Sequence, residues 1–149
     1  MSPFFSVNLA VVLLTVAAVA AAVGLHYEGL NWLARRLARG NVERRRQRVL
    51  HAVIGVLTLH IAEIWIFAFA YWASLALPGA GTVTGAPSNG LLDTVYLSAM
   101  TFSTVGFGDV APHGPIRFIA GIEAVLGLFL IAWSATFTYY EMERNWRDR

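Results

Sequence analysis

Four apolar stretches constrain this chain more than any other feature, because three are long enough to cross a bilayer and one is not. Val7 to Leu25, His51 to Leu75 and Ile116 to Tyr139 each approach or exceed the roughly 20 helical residues that span a hydrocarbon core. Leu91 to Ser103 falls well short of that length. Of the 149 residues, 57% are hydrophobic and 13% charged, against roughly a quarter charged in soluble domains. One small globule could not hide so much apolar surface, so a membrane is the natural solvent. The expected fold class is an all-α membrane protein with three transmembrane helices.

No Lys or Arg precedes the first run, where a cleaved signal peptide wants positive charge, so residues 1–27 read as a transmembrane helix. The character changes at Tyr27-Glu28. Leu30, Leu33, Ala34 and Leu37 fall at i, i+3, i+4 and i+7, one face of a helix. Arg35, Arg36 and Arg39 lie off that face, and Trp32 suits a membrane boundary. This predicts a short basic helix along the membrane surface, interrupted at Gly40-Asn41, within a linker over residues 28–50. The chain has eleven arginines and no lysine, and seven of the eleven lie between Arg35 and Arg48. That concentration puts the linker in the cytoplasm and the N-terminus outside, in a plasma-membrane protein. Nothing else in the chain supports a nucleic-acid partner, and with no cysteine there is no disulfide framework or thiolate metal site.

The second span carries Trp65, Tyr71 and Trp72, which suit an interfacial belt. Pro78 to Asn89 is uncharged loop. Asn89 or Ser88 is placed to cap the short helix, with Asp93 in its first turn, where negative charge is favourable. That helix, residues 91–103, reads as re-entrant. Thr104-Val105-Gly106-Phe107-Gly108-Asp109 follows as non-helical backbone, tolerated at membrane depth only when buried in protein or lining water. Two glycines around one aromatic reach backbone angles closed to most residues, which matters if successive carbonyls must face a common axis.

The string Thr104 to Asp109, with an apolar helix on each side, resembles the selectivity filter of tetrameric potassium channels, in which rings of carbonyls replace the water around a dehydrated ion. Phe107 stands where a tyrosine is usual. The resemblance covers about Ala52 to Tyr140 and implies a pore domain over residues 51–140. Within it are an outer helix (51–76), a pore helix (91–103), a filter (104–109) and an inner helix (115–140); a cytoplasmic tail (141–149) follows. Four copies would be needed to close the ring, a homotetramer in the lipid bilayer. The resemblance assigns K+ to the carbonyls of Thr104, Val105, Gly106 and Phe107 and to the Thr104 hydroxyl, with Gly108 shaping the outer mouth. It places Asp109, Ser103 and Tyr96 as filter supports and Phe129, Ala132 and Thr136 on the face lining the pore. Gly121 and Gly127 serve either bending of the last helix or close packing. Met100 occupies a position where the family often has a glutamate, so Asp109 lacks that carboxyl partner.

Three ionisable groups lie within the spans: His60, Glu63 and Glu123. His60 and Glu63 are i, i+3 neighbours on one face. Glu123 lies about 240° around its helix from Phe129 and should face away from the pore. An isolated charge in lipid is expensive, so the three are expected to pair, as a packing strut or a proton-sensitive contact. No regularly spaced arginines lie in the spans and only the short tail follows the last one, so gating is expected from the pore, the membrane, the first helix or a partner. The resemblance implies a potassium-selective channel and not an enzyme. A non-conducting subunit of the same architecture and a weakly selective cation pore stand as alternatives.

Overall fold

The computed structural model describes residues 3–38, 45–85, 90–106 and 108–147. The elements in chain order are α1 (Pro3–Ala38), α2 (Arg45–Leu75), β1 (Thr82–Thr84), α3 (Leu91–Phe102) and β2 (Ala111–His113). A 3-10 turn at Gly114–Ile116 then leads into α4 (Arg117–Arg147). α1, α2 and α4 each contain a segment long and apolar enough to cross a membrane, whereas α3 has 12 residues.

The largest departure from the sequence expectation is α1, a single helix of 36 residues with no break at Tyr27-Glu28. The reason is a stripe longer than the four positions read from the sequence. Val11, Thr15, Ala18, Ala22, His26, Leu30, Leu33 and Leu37 recur every three or four residues, and all are buried. One continuous buried stripe requires one continuous helix. Leu30, Leu33 and Leu37 pack with Ala52 and Val56, flanked by Leu59, Trp133 and Phe137. The face expected to lie on the membrane surface is therefore covered by α2 and α4. Arg35 and Arg36 stay exposed, and the Arg36 guanidinium sits 5.1 Å over the Trp32 ring. Gly40 and Asn41 lie outside the described residues. α2 begins at Arg45, inside the expected linker, and α4 runs on to Arg147 through most of the expected tail.

The all-α expectation also missed a ribbon. β1 and β2 pair antiparallel, with Thr82 opposite His113, Val83 opposite Pro112 and Thr84 opposite Ala111. Pro112 lacks an N–H and is tolerated because each strand of a two-stranded ribbon is an edge. The approach is very close at Gly85, whose φ is +79°; a Cβ there would meet the Asp109 carbonyl at 1.8 Å. The Ile116 N–H also donates to the Ala80 carbonyl at 3.0 Å. The loop after α2 is thus fastened to the segment just after residues 104–109.

Gly90 stands at the N-cap of α3, and its N–H donates to the Asp93 carboxylate at 3.1 Å. Asn89 and Ser88, the expected caps, lie outside the described residues. α3 is enclosed by α2 and α4, and Leu97, Ser98 and Phe102 are buried. α4 comes so near its C-terminal end that a Cβ at Gly127 would meet the Phe102 carbonyl oxygen at 2.2 Å. Gly127 is therefore a packing position: lipid gives helices no hydrophobic drive to associate, and small residues let backbones approach. Gly127→Ala should destabilise the protein by about 1–3 kcal/mol, because backbone must move to admit the methyl. Gly24→Ala, where nothing lies within 4 Å, should be neutral or stabilising by up to about 1 kcal/mol. Thermal unfolding of both purified variants checks the contrast.

Candidate functional site

The string after α3 leaves helical geometry at once. Ser103 caps the helix, Thr104 takes φ +59° and Gly106 φ +91°. Positive φ at these two residues breaks the regular backbone of both helix and strand. For a β-branched residue such as Thr104 this conformation is rare and costs on the order of 1–3 kcal/mol, so the surroundings must enforce it. They do so from α3: the Thr104 N–H donates to the Thr101 carbonyl at 3.0 Å and the Gly106 N–H to the Met100 carbonyl at 3.1 Å. Thr104, Val105, Gly108 and Asp109 are exposed, Val105 to 72%. Phe107 lies outside the described residues.

The supports differ from expectation in one respect. Tyr96 donates its hydroxyl proton to Asp109 Oδ1 at 3.2 Å, tying α3 to the far end of the string. The negative charge of Asp109 pushes the phenol above its ordinary pKa. Ser103 instead donates to the Ala99 carbonyl at 2.7 Å, and Thr101 to the Leu97 carbonyl at 2.8 Å. Both hydroxyls bond back to α3, and among the described residues Ser103 makes no bond to the string of the kind expected of a support.

Phe129, Ala132 and Thr136 share one exposed face of α4, with Tyr140 a turn beyond. A groove of about 630 Å³ opens beside the string, lined by residues that include Met100, Thr104, Gly106, Arg117 and Gly121.

The ionisable residues expected to form one cluster fall into two. Glu123 faces α2 and α3: its carboxylate accepts from Tyr71 OH at 2.7 Å, and Ser98 Oγ reaches its other oxygen. Tyr71 is fully buried and so does not belong to an interfacial belt. Glu63 meets residues of its own helix and of α1. His26 Nδ1 lies 2.7 Å from Glu63 Oε1 and His60 Nδ1 2.8 Å from Oε2, while His26 Nε2 faces Ser134 Oγ at 3.5 Å. His26, Tyr71, Ser98 and Ser134 were not named as site residues from the sequence. For His26 a signal existed, since it continues the Leu30–Leu37 stripe by one turn. A double-mutant cycle of Tyr71→Phe with Glu123→Gln should return a coupling of about 1–2 kcal/mol in thermal unfolding. A value near zero would show that the pair does not hold α2 to α4.

A sequence model of a protein family described as "Ion channel" matches residues 55–144. Among curated proteins, Protein LctB of Geobacillus stearothermophilus is 36% identical over 91 residues, 61% of this chain and 68% of the relative. Protein LctB of Bacillus caldotenax is 42% identical over 55 residues, 37% of this chain and 41% of the relative. Two pore potassium channel c of Oryza sativa subsp. japonica is 31% identical over 78 residues, 52% of this chain but 16% of the relative. The chain thus spans less than half the length of the last two. No solved structure matches. The family match covers well over half of the chain and falls on the two helices and the loop that carry the string. This protein is accordingly a multi-pass membrane protein of the ion-channel family, within the potassium-channel superfamily.

Proposed function

We propose that this protein is a potassium-selective channel, in which four copies gather the string Thr104 to Asp109 around a shared axis. The observation that carries the reading is the alternating positive φ at Thr104 and Gly106 in an exposed string anchored to the end of α3. Carbonyls turned to one side would have no partner within their own strand. They can replace the hydration shell of a cation only if several chains contribute them. Thr104, Val105, Gly106 and Phe107 would supply those oxygens to K+, with the Thr104 hydroxyl at the inner end and Gly108 at the mouth. α3 would be the re-entrant pore helix, its C-terminal partial negative charge favouring a cation that waits to enter.

Three further features support the reading. The groove beside the string is lined partly by the small residues Ala120, Gly121 and Ala124, which suit close contact with a neighbouring helix. Phe129, Ala132 and Thr136 are exposed together on α4, the face that would line the inner cavity. One relative is named as a potassium channel. The arginines that run from the end of α1 into the start of α2 favour a cytoplasmic position, which would put the N-terminus and the outer mouth on the external side of the plasma membrane.

Purified protein in liposomes tests the reading. K+ flux blocked by Ba2+, a reversal potential that follows K+ over Na+, and a particle mass of four chains are expected. Gly106→Ala should abolish selective flux while the tetramer persists, because an L side chain at φ +91° is strained and re-aims the carbonyls. A fourfold assembly without flux would make this a non-conducting subunit. Equal passage of Na+ would make it a weakly selective cation pore. An assembly that is not fourfold would overturn the proposed architecture.

A further inference from the structure

We propose that His26, His60 and Glu63 form a binding site for a divalent first-row transition-metal ion of the zinc type, which fastens α1 to α2. The ligand atoms of these three side chains all lie within 4.8 Å of one another. His60 and Glu63 present theirs from neighbouring positions on α2, and His26 brings the third from the middle of α1. His26 and Glu63 are fully buried, and the His60 side chain is 14% exposed.

The donor set selects the ion. Two imidazole nitrogens and one carboxylate oxygen are the three-ligand set of many zinc sites that keep a fourth position for water. Magnesium and calcium prefer sites built entirely of oxygen. Tetrahedral coordination at zinc–ligand distances of about 2.0–2.2 Å places ligand atoms roughly 3.3 Å apart. His26 meets Glu63 Oε1 at 2.7 Å and His60 meets Oε2 at 2.8 Å, so on binding an ion the carboxylate would turn to offer one oxygen, or face the ion with both, and the two rings would close on each other. Such shifts need only small side-chain rotations. The two rings lie stacked with centroids 5.7 Å apart, so both can turn the same edge toward one point.

The outer support is also in place. A metal-bound histidine characteristically donates its other ring N–H to a fixed acceptor, which sets the tautomer and the ring orientation. With Nδ1 of His26 as ligand, Nε2–H faces Ser134 Oγ of α4 at 3.5 Å. Trp133 packs against the same ring, with centroids 5.2 Å apart. The site thus draws on three helices and includes no residue of the string 104–109.

The test uses Zn2+ and Co2+ on the full chain in detergent after treatment with a chelator. One Zn2+ per chain should be retained through gel filtration and should raise the unfolding temperature. Co2+ should give the intense visible bands of a four-coordinate site. His26→Ala with His60→Ala should weaken binding by at least about 100-fold and Ser134→Ala by about 10-fold, with helical content unchanged. Equal Zn2+ binding by the wild type and the double variant would overturn the proposal. If the double variant does not fold, the wild type alone decides: no stoichiometric Zn2+ and no Co2+ bands would overturn it. These readouts need no ion flux, so they stand or fall separately from the pore.

Discussion

The Glu123 carboxylate sets the spacing on which the filter-like string depends. It sits fully buried on α4 and meets Tyr71 of α2 and Ser98 of α3. A polar group left without partners in such surroundings costs several kcal/mol, so this one side chain holds three helices to one arrangement. Ser98 also lies 2.9 Å from the Ile64 carbonyl of α2, which fixes the turn of α3 just before its end. One turn later, Gly127 brings α4 onto the Phe102 backbone. The string begins immediately beyond, so its starting point inherits the precision of these contacts. Apolar packing alone would leave α3 freer to slide, because lipid and leucine offer a helix similar surroundings.

Among the described residues, the string is fastened at both ends. At the inner end, backbone N–H groups of Thr104 and Gly106 donate to carbonyls of the last turns of α3. At the outer end, Tyr96 holds Asp109, and the β1–β2 ribbon anchors residues 111–113 to the loop after α2. Neither end can shift without disturbing α3 or the ribbon. At the inner end Thr104 holds a conformation that an isolated peptide would avoid. A strained residue held in place by its neighbours is what a carbonyl site would need, since a relaxed loop would swing its oxygens toward whatever donor was nearest.

Much of this was legible in the sequence, and for identifiable reasons. The long apolar runs exposed themselves by length, and the string by residue types that only unusual backbone angles explain. The break expected at Tyr27 is absent because the arginines and Trp32 mark only one end of a buried stripe that starts at Val11. The ribbon escaped because three-residue strands carry no periodicity, and Pro112 argues against a strand in any longer sheet. The polar pairings depended on how helices rotate against one another. Spacing within a helix revealed His60 with Glu63, but nothing local could say that His26 would meet the same carboxylate. Tyr71, which sits among residues suited to an interface, gave no sign of facing Glu123.

α1 lies outside the residues matched by the ion-channel family, yet it is not loosely attached. Its packing is close enough that a Cβ at Gly29 would meet Leu59 at 2.3 Å and one at Gly55 would meet Leu33 at 2.8 Å. Between these contacts and Ala22, His26 engages Glu63 of α2 and faces Ser134 of α4. A tilt or slide of α1 would have to break the buried imidazole–carboxylate pair or carry α2 and α4 with it. His60, on the same carboxylate, also packs against Phe102, the last residue of α3. A continuous path of contacts therefore runs from α1 to the base of the string, but contact alone transmits nothing unless some element on the path has two arrangements. The imidazole–carboxylate group is the one place on that path where chemistry, rather than packing, could supply the second arrangement, because three ligand atoms can gather around an ion or bond to one another.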